Sequence, residues 1–180
     1  MTALLAVGIA GLVAACGGGE GEANDGVSEA PAGSERDKGE ESTQEVDTER
    51  VIGKLAGPEG MVIELHSATR DGGGFVTVHG TLTNTGDRTF NYNRWTSSEN
   101  EIRSKSSISG ATLVDPAGKK RYLILRDTDG ECLCSTGLTN IKSGESRPIY
   151  AQFPAPPAGV SDLEFHLPTM NPATIELTEG

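Results

Sequence analysis

The chain has 180 residues, with 15 Lys and Arg against 26 Asp and Glu, which gives a formal net charge of -11 at pH 7. A net acidic chain without a basic stripe argues against nucleic acid as a partner and against a polybasic contact with anionic lipid. The length suits one folded domain with additional terminal segments.

An uncharged apolar run, residues 3–15, opens the chain and ends at Cys16, which three glycines follow. Its length is that of the apolar region of a signal peptide and is short for a membrane span. The sequence Val-Ala-Ala-Cys at 13–16 resembles the bacterial lipobox. This resemblance implies a lipoprotein signal peptide over residues 1–15 and a diacylglyceryl group on the sulfur of Cys16. The alternatives are a plain secretory signal and a chance apolar start, because no Lys or Arg precedes the run.

The next segment is acidic and poor in apolar residues. Between residues 17 and 50 there are eleven acidic side chains against three basic ones, and only Val27 and Val46 are large and apolar. Such a segment buries too little apolar surface to offset the entropy of ordering it. We predict a disordered acidic linker over residues 16–50 with a random-coil reach of ~32 Å. It would hold the folded part away from the membrane; the alternative is a tail that serves only solubility.

From about residue 60 onward, apolar residues alternate with polar ones, as in strands with one buried face. The clearest runs lie at 61–70, 75–84, 111–115, 120–126, 146–153, 162–167 and 175–177. The run at 121–126 is apolar on both faces, which favours a more central strand. Turn residues separate the runs, and no stretch has helical periodicity with caps. We predict an all-β, immunoglobulin-like antiparallel β-sandwich of seven or eight strands over residues 51–180.

Two stretches carry a family resemblance. Residues 76–87 end in Thr-Asn-Thr-Gly-Asp and are similar to the second strand of immunoglobulin-like domains in actinobacterial secreted lipoproteins and immunoprotective extracellular antigens. Residues 127–135, with Glu-Cys-Leu-Cys-Ser, resemble an element in the amino-terminal part of some actinobacterial envelope lipoproteins of the OmpA family. The resemblance covers roughly residues 60–178. It implies an envelope lipoprotein; no peptidoglycan-binding domain is expected before Gly180, so a wall-binding role is not carried over.

Three cysteines are present, and lipidation of Cys16 would leave Cys132 and Cys134 as an even pair in an oxidising compartment. The simplest expectation is a local disulfide that stiffens the surrounding loop. Closely spaced thiolates also bind soft metals, and a short disulfide is readily reduced, so a Cu(I) or redox role is the alternative.

The histidines offer a candidate metal site. If residues 71–74 form a four-residue hairpin loop, facing residues sum to 145, which places Ile63 opposite Leu82 and keeps the apolar faces together. The same register places His66 directly opposite His79. Two imidazoles with a nearby Glu64 would bind Zn²⁺ or Cu²⁺, although a catalytic zinc site needs a third strong ligand. The alternative is a pair of solvated surface histidines.

An aromatic segment, residues 90–95, contains Tyr92 and the single tryptophan, Trp95. Trp95 is either part of the sandwich core or an exposed recognition residue, and Tyr92, on the same phase, would enlarge a recognition patch. This segment and the loop at Cys132 and Cys134 are the candidate recognition regions.

Motifs of known enzymes are missing from the sequence: it has no Gly-x-Ser-x-Gly elbow, P-loop or dinucleotide fingerprint. We therefore expect a membrane-tethered extracytoplasmic lipoprotein that is a non-enzymatic binding or accessory module of the cell envelope. Its partners would be the membrane, through the lipid on Cys16, and an unknown envelope protein or ligand; no cofactor is expected. The alternatives are a metal-handling (copper or zinc) envelope lipoprotein and an enzyme with an unrecognised site.

Overall fold

A computed structural model describes residues 46–91, 94–97 and 104–180, and nearly all of its regular structure is strand. The strands are β1 (Gly53–Ala56), β2 (Met61–Arg70), β3 (Phe75–Asn84), β4 (Thr112–Asp115), β5 (Lys120–Leu123), β6 (Ser146–Pro154), β7 (Asp162–His166), β8 (Ala173–Glu176) and β9 (Thr178–Glu179). One 3-10 turn, Pro58–Gly60, separates β1 from β2. Within the described ranges, no helix is long and apolar enough to cross a membrane.

The strands form two sheets. The first has the order β1-β2-β3-β6, with β9 added in parallel to the end of β2, and the second has the order β5-β4-β7-β8. All other pairings are antiparallel. Without β1 and β9, the other seven strands follow the Greek-key order of immunoglobulin-like sandwiches. The predicted sandwich is confirmed, with nine strands rather than seven or eight because β1 and β9 were not recognised.

Apolar and polar side chains alternate along each strand, and the apolar ones form the core between the two sheets. On β6, Ile149, Ala151 and Phe153 are buried while the residues between them are exposed or half-buried. On β7, Leu163 and Phe165 follow the same pattern. The two sheets meet where the ring of Phe153 packs edge-on against that of Phe165, with centroids 6.2 Å apart. This geometry is the one that aromatic quadrupoles favour.

The hairpin between β2 and β3 has the predicted bounds and turn. The Asp71 carboxylate accepts hydrogen bonds from the backbone N–H groups of Gly73 (2.9 Å) and Phe75 (3.0 Å). Gly74 has a φ of 84°, in the left-handed region that glycine adopts without steric cost. Asp and Gly at these positions therefore specify the loop by their chemistry.

The strand that was expected to be central is an edge strand. β5 ends at Leu123, whose side chain is 55% exposed, and among the strands of the described residues it pairs only with β4. After Leu123 the chain crosses to the other sheet, where the N–H of Leu125 donates to the carbonyl of Gln152 on β6 (2.9 Å). The run is apolar on both faces because it passes from one sheet to the other, and not because both of its faces are covered.

Candidate functional site

Several predicted features lie outside the described residues: the signal peptide, the lipidation site Cys16, most of the acidic linker and the candidate recognition residue Tyr92. Trp95 is described, and its side chain is 1% exposed. Its ring stacks on that of Phe90 with centroids 5.1 Å apart. Trp95 is therefore a core residue, and its alternative assignment as an exposed recognition aromatic is wrong.

The predicted opposition of His66 and His79 is also wrong. The predicted register holds as far as Leu65, which faces Gly80, but the next paired residue is Ser67, which faces His79. His66 is thus the extra residue of a β-bulge, and a bulge places two residues of one strand opposite one residue of the other.

His66 is not solvated either, since it is 4% exposed. Its Nδ1 lies 2.8 Å from the carbonyl oxygen of Arg50, and its Nε2 lies 2.8 Å from Oγ1 of Thr81. A carbonyl only accepts, so Nδ1 carries a proton and donates it to Arg50, while Nε2 forms the second hydrogen bond with the Thr81 hydroxyl. With both nitrogens engaged, His66 attaches the chain before β1 to the first sheet. The described part of the chain holds no group of three or more His, Cys, Asp or Glu side chains placed to bind a metal ion.

His79 faces Tyr150 on the neighbouring strand β6. Their ring centroids are 6.5 Å apart with an interplanar angle of 35°, and Tyr150 is 41% exposed. Burial lowers the pKa of His79 below its usual value of 6.5, because desolvation disfavours the charged imidazole. The His79 imidazole is therefore protonated less readily than a solvated one, and it lies beside the exposed ring of Tyr150.

These rings belong to a larger surface that we call the uncharged face. It consists of the ten outward-pointing residues of β3 and β6: Phe75, Thr77, His79, Thr81, Thr83, Ser146, Pro148, Tyr150, Gln152 and Pro154. None is Asp, Glu, Lys or Arg. Its hydroxyl and amide groups bond across the strands, with Thr83 Oγ1 2.8 Å from Ser146 Oγ. An uncharged polar row of this length is unusual in a chain with 23% charged residues.

The predicted disulfide between Cys132 and Cys134 is confirmed, and both residues are buried. The disulfide segment, residues 132–135, lies along the outer edge of β6, where Cys134 forms a bridge with Ala151. Ser135 donates its N–H to the carbonyl of Tyr150 (3.0 Å), and the Tyr150 N–H donates to Oγ of Ser135 (2.9 Å). The disulfide segment therefore closes the sheet edge beside Tyr150.

A groove of 810 Å³ lies on the other sheet, beside the edge strand β5. Its lining includes the exposed Leu123, the flanking Arg121 and Arg126, and two prolines, Pro154 and Pro168. It is a competing candidate for recognition, and its exposed leucine provides a matched control for the uncharged face.

The main candidate residue that sequence reasoning missed is Tyr150. The signal was present, because Ile149, Ala151 and Phe153 occupy the inward phase and the intervening aromatic must point outward. No model of a known protein family matches the chain, and no curated protein matches it either.

Proposed function

We propose that this protein is a non-enzymatic binding module of the cell envelope, held at the extracytoplasmic face of the membrane by a lipid on Cys16. The uncharged face is its recognition surface. The observation that carries this proposal is the concentration of exposed aromatic rings there: Phe75 and Tyr150 are 42% and 41% exposed, and both point outward from the same sheet.

Exposed aromatic rings are what a recognition surface offers a ligand, because each buries a large area at a small cost in side-chain entropy. The core already holds Trp95, Phe90, Phe153 and Phe165, so Phe75 and Tyr150 are not needed to fill it. The disulfide segment fixes the backbone of Tyr150 from one side, and β3 fixes it from the other. Tyr150 is therefore presented on a rigid element, which lowers the entropic cost of binding.

The anchor is tested by expressing the full-length chain and its Cys16→Ser variant in a bacterium that processes lipoproteins. Wild type should sediment with membranes and carry a diacylglyceryl group on its first mature residue, detected by mass spectrometry of the amino-terminal peptide. The variant should be found free of the membrane. An unmodified thiol on wild-type Cys16 would reject the anchor.

The recognition surface is tested by saturable binding of the full-length protein to an envelope fraction of the producing cell. Tyr150→Ala should weaken binding, while Leu123→Ala, which removes a more exposed side chain from the groove on the other sheet, should not. Equal binding by wild type and Tyr150→Ala would reject the uncharged face. Loss of binding with Leu123→Ala alone would assign recognition to the groove.

The metal-handling alternative stays a prediction without a geometric basis. It depended on two facing histidines, and the bulge at His66 removes that pairing. The disulfide also joins the sulfurs of Cys132 and Cys134 to each other.

A further inference from the structure

We infer that the ligand of the uncharged face is a neutral polysaccharide, bound as an extended segment along β3 and β6. This inference rests on the proposed function and names the substrate class of the same surface. It follows from the chemistry of the face, from the spacing of its aromatic rings and from the closure of the neighbouring sheet edge.

Because the face has no Asp, Glu, Lys or Arg side chain, it offers a charged ligand no ionic partner. His79 is the one histidine among the ten residues of the face, and on the neighbouring strand β2 the buried imidazole of His66 lies 2.8 Å from Oγ1 of Thr81. Beside the face, Lys54 of β1 and Glu64 of β2 form an ion pair of 2.9 Å. At its ends, the Asp71 carboxylate accepts from the N–H of Phe75, and Glu145 is paired with Arg147. A charged polymer would lose hydration here without gaining a partner of opposite charge. An uncharged ligand rich in hydroxyl groups meets no such penalty.

The aromatic rings are spaced for a chain of sugar rings. Phe75 lies four residues along β3 from His79, the partner of Tyr150, which corresponds to about 13 Å. Between the two positions lies Thr77, whose hydroxyl is 3.2 Å from the amide nitrogen of Gln152. The C–H face of a pyranose packs on an aromatic ring, while its hydroxyls exchange hydrogen bonds with side chains such as these. The two aromatic positions would hold separate sugar units, with the polar pair between them.

The surface is also long and regular. The nine residue pairs from Phe75 and Pro154 to Thr83 and Ser146 follow one another without a register shift. Nine residues of a strand extend roughly 30 Å. A regular row without a register shift suits a repeating polymer better than a compact small molecule, which needs a concave site.

The closed edge of β6 argues against a peptide that adds a strand. A peptide gains most of its affinity in that mode from backbone hydrogen bonds at a free edge. At β6 the edge-facing N–H and C=O groups of Tyr150 and Gln152 are already bonded to residues 125–135. Of the other positions on that side, Pro148 and Pro154 have no N–H to donate, and only Ser146, at the start of the strand, does. A ligand must therefore contact side chains on the face.

The test uses the full-length protein in detergent and measures its retardation in native gels that contain one polysaccharide each. The neutral probes are a glucan, a mannan and an arabinogalactan, and polygalacturonate is the acidic comparator. At least one neutral probe should retard wild type, and polygalacturonate should not. Tyr150→Ala and Phe75→Ala should each weaken binding about tenfold. Tyr150→Phe, which keeps the ring, and Leu123→Ala should bind as wild type does, and thermal melting should show that every variant is folded.

Three results would overturn the inference. Retardation by polygalacturonate alone would show an ionic ligand, and equal retardation of wild type and Tyr150→Ala would place the saccharide elsewhere. If no neutral probe binds while envelope binding still depends on Tyr150, the ligand class is wrong and the proposed function stands. If envelope binding is also absent, both the ligand class and the proposed function are rejected.

Discussion

Replacing Asn84 with Ala should be among the most destabilising single changes in the domain. Asn84 ends β3 and is fully buried. Its side-chain Nδ2 donates to the backbone carbonyl oxygens of Arg88 (2.8 Å) and Ile141 (2.9 Å), and its side-chain Oδ1 accepts from the backbone N–H of Gly86 (3.0 Å). One side chain thus joins the end of β3 to the following turn and to the segment before β6.

The magnitude follows from these three hydrogen bonds. Each intramolecular bond contributes about 1 kcal/mol net, so Asn84→Ala should cost about 3 kcal/mol of the free energy of unfolding. The Ile141 carbonyl keeps a second donor, the N–H of Phe90 at 2.8 Å, which limits the penalty at that atom. For a domain of this size the loss corresponds to a fall in Tm of roughly 10 °C.

Urea unfolding followed by circular dichroism measures this loss, with an unchanged m-value as the sign that both end states are preserved. Asn84→Asp should be at least as damaging, since it keeps the acceptor but turns a buried oxygen toward two carbonyls. Thr83→Ala, which removes an exposed hydroxyl pair one residue away, should cost under about 0.5 kcal/mol. A loss below about 1 kcal/mol for Asn84→Ala would refute the reasoning from buried hydrogen bonds.

Three further outcomes are expected. Burial lowers the pKa of His79, so just below pH 6.5 the unfolded chain binds more protons than the folded one, and the free energy of unfolding should fall as the pH drops. His79→Gln should reduce the slope of this free energy against pH, measured by urea unfolding. An unchanged slope would contradict the reasoning. Zinc or copper(II) should not raise Tm, because both ring nitrogens of His66 are engaged, whereas a rise that His66→Ala abolishes would restore the metal site. Reducing the bond between Cys132 and Cys134 should cost about 1–2 kcal/mol, as expected for so short a loop, and weaken ligand binding through Tyr150; no change in either would remove its supporting role.

The hairpin of β2 and β3 shows how much the sequence could predict. Its two strands and its turn were specified by alternation and by the residues at 71–74, and each has the expected bounds. The bulge was missed, although it left a trace: the buried residues of β2 have odd numbers up to Leu65 and are then the even-numbered His66 and Ala68. Such a change of parity within one strand indicates an extra residue, and it would have separated His66 from His79.

Other features depend on long-range packing and leave no local pattern. Residues 85–111 connect the two sheets without periodicity, so only the three-dimensional structure shows that Trp95 is buried against Phe90. The position of the disulfide segment beside Tyr150 is another case, because the two are 15 residues apart and meet only through the edge of β6. The alternation along β6 predicts that Tyr150 points outward, but it does not predict that the disulfide segment lies beside it.

The uncharged face increases the risk of edge-to-edge association with a second copy, and the structure limits this risk at the edge of β6. A long sheet face without charges, next to a free strand edge, would favour pairing with a second copy, and native sheets often place Lys or another charge there. Here the protection is backbone chemistry: Pro148 and Pro154 withhold donors, and the segment at Cys132 and Cys134 occupies the groups between them. This arrangement blocks the edge while adding no charge to the face. A protein that needed only solubility would gain as much from one lysine on β6, so the retention of an uncharged surface favours its use for binding.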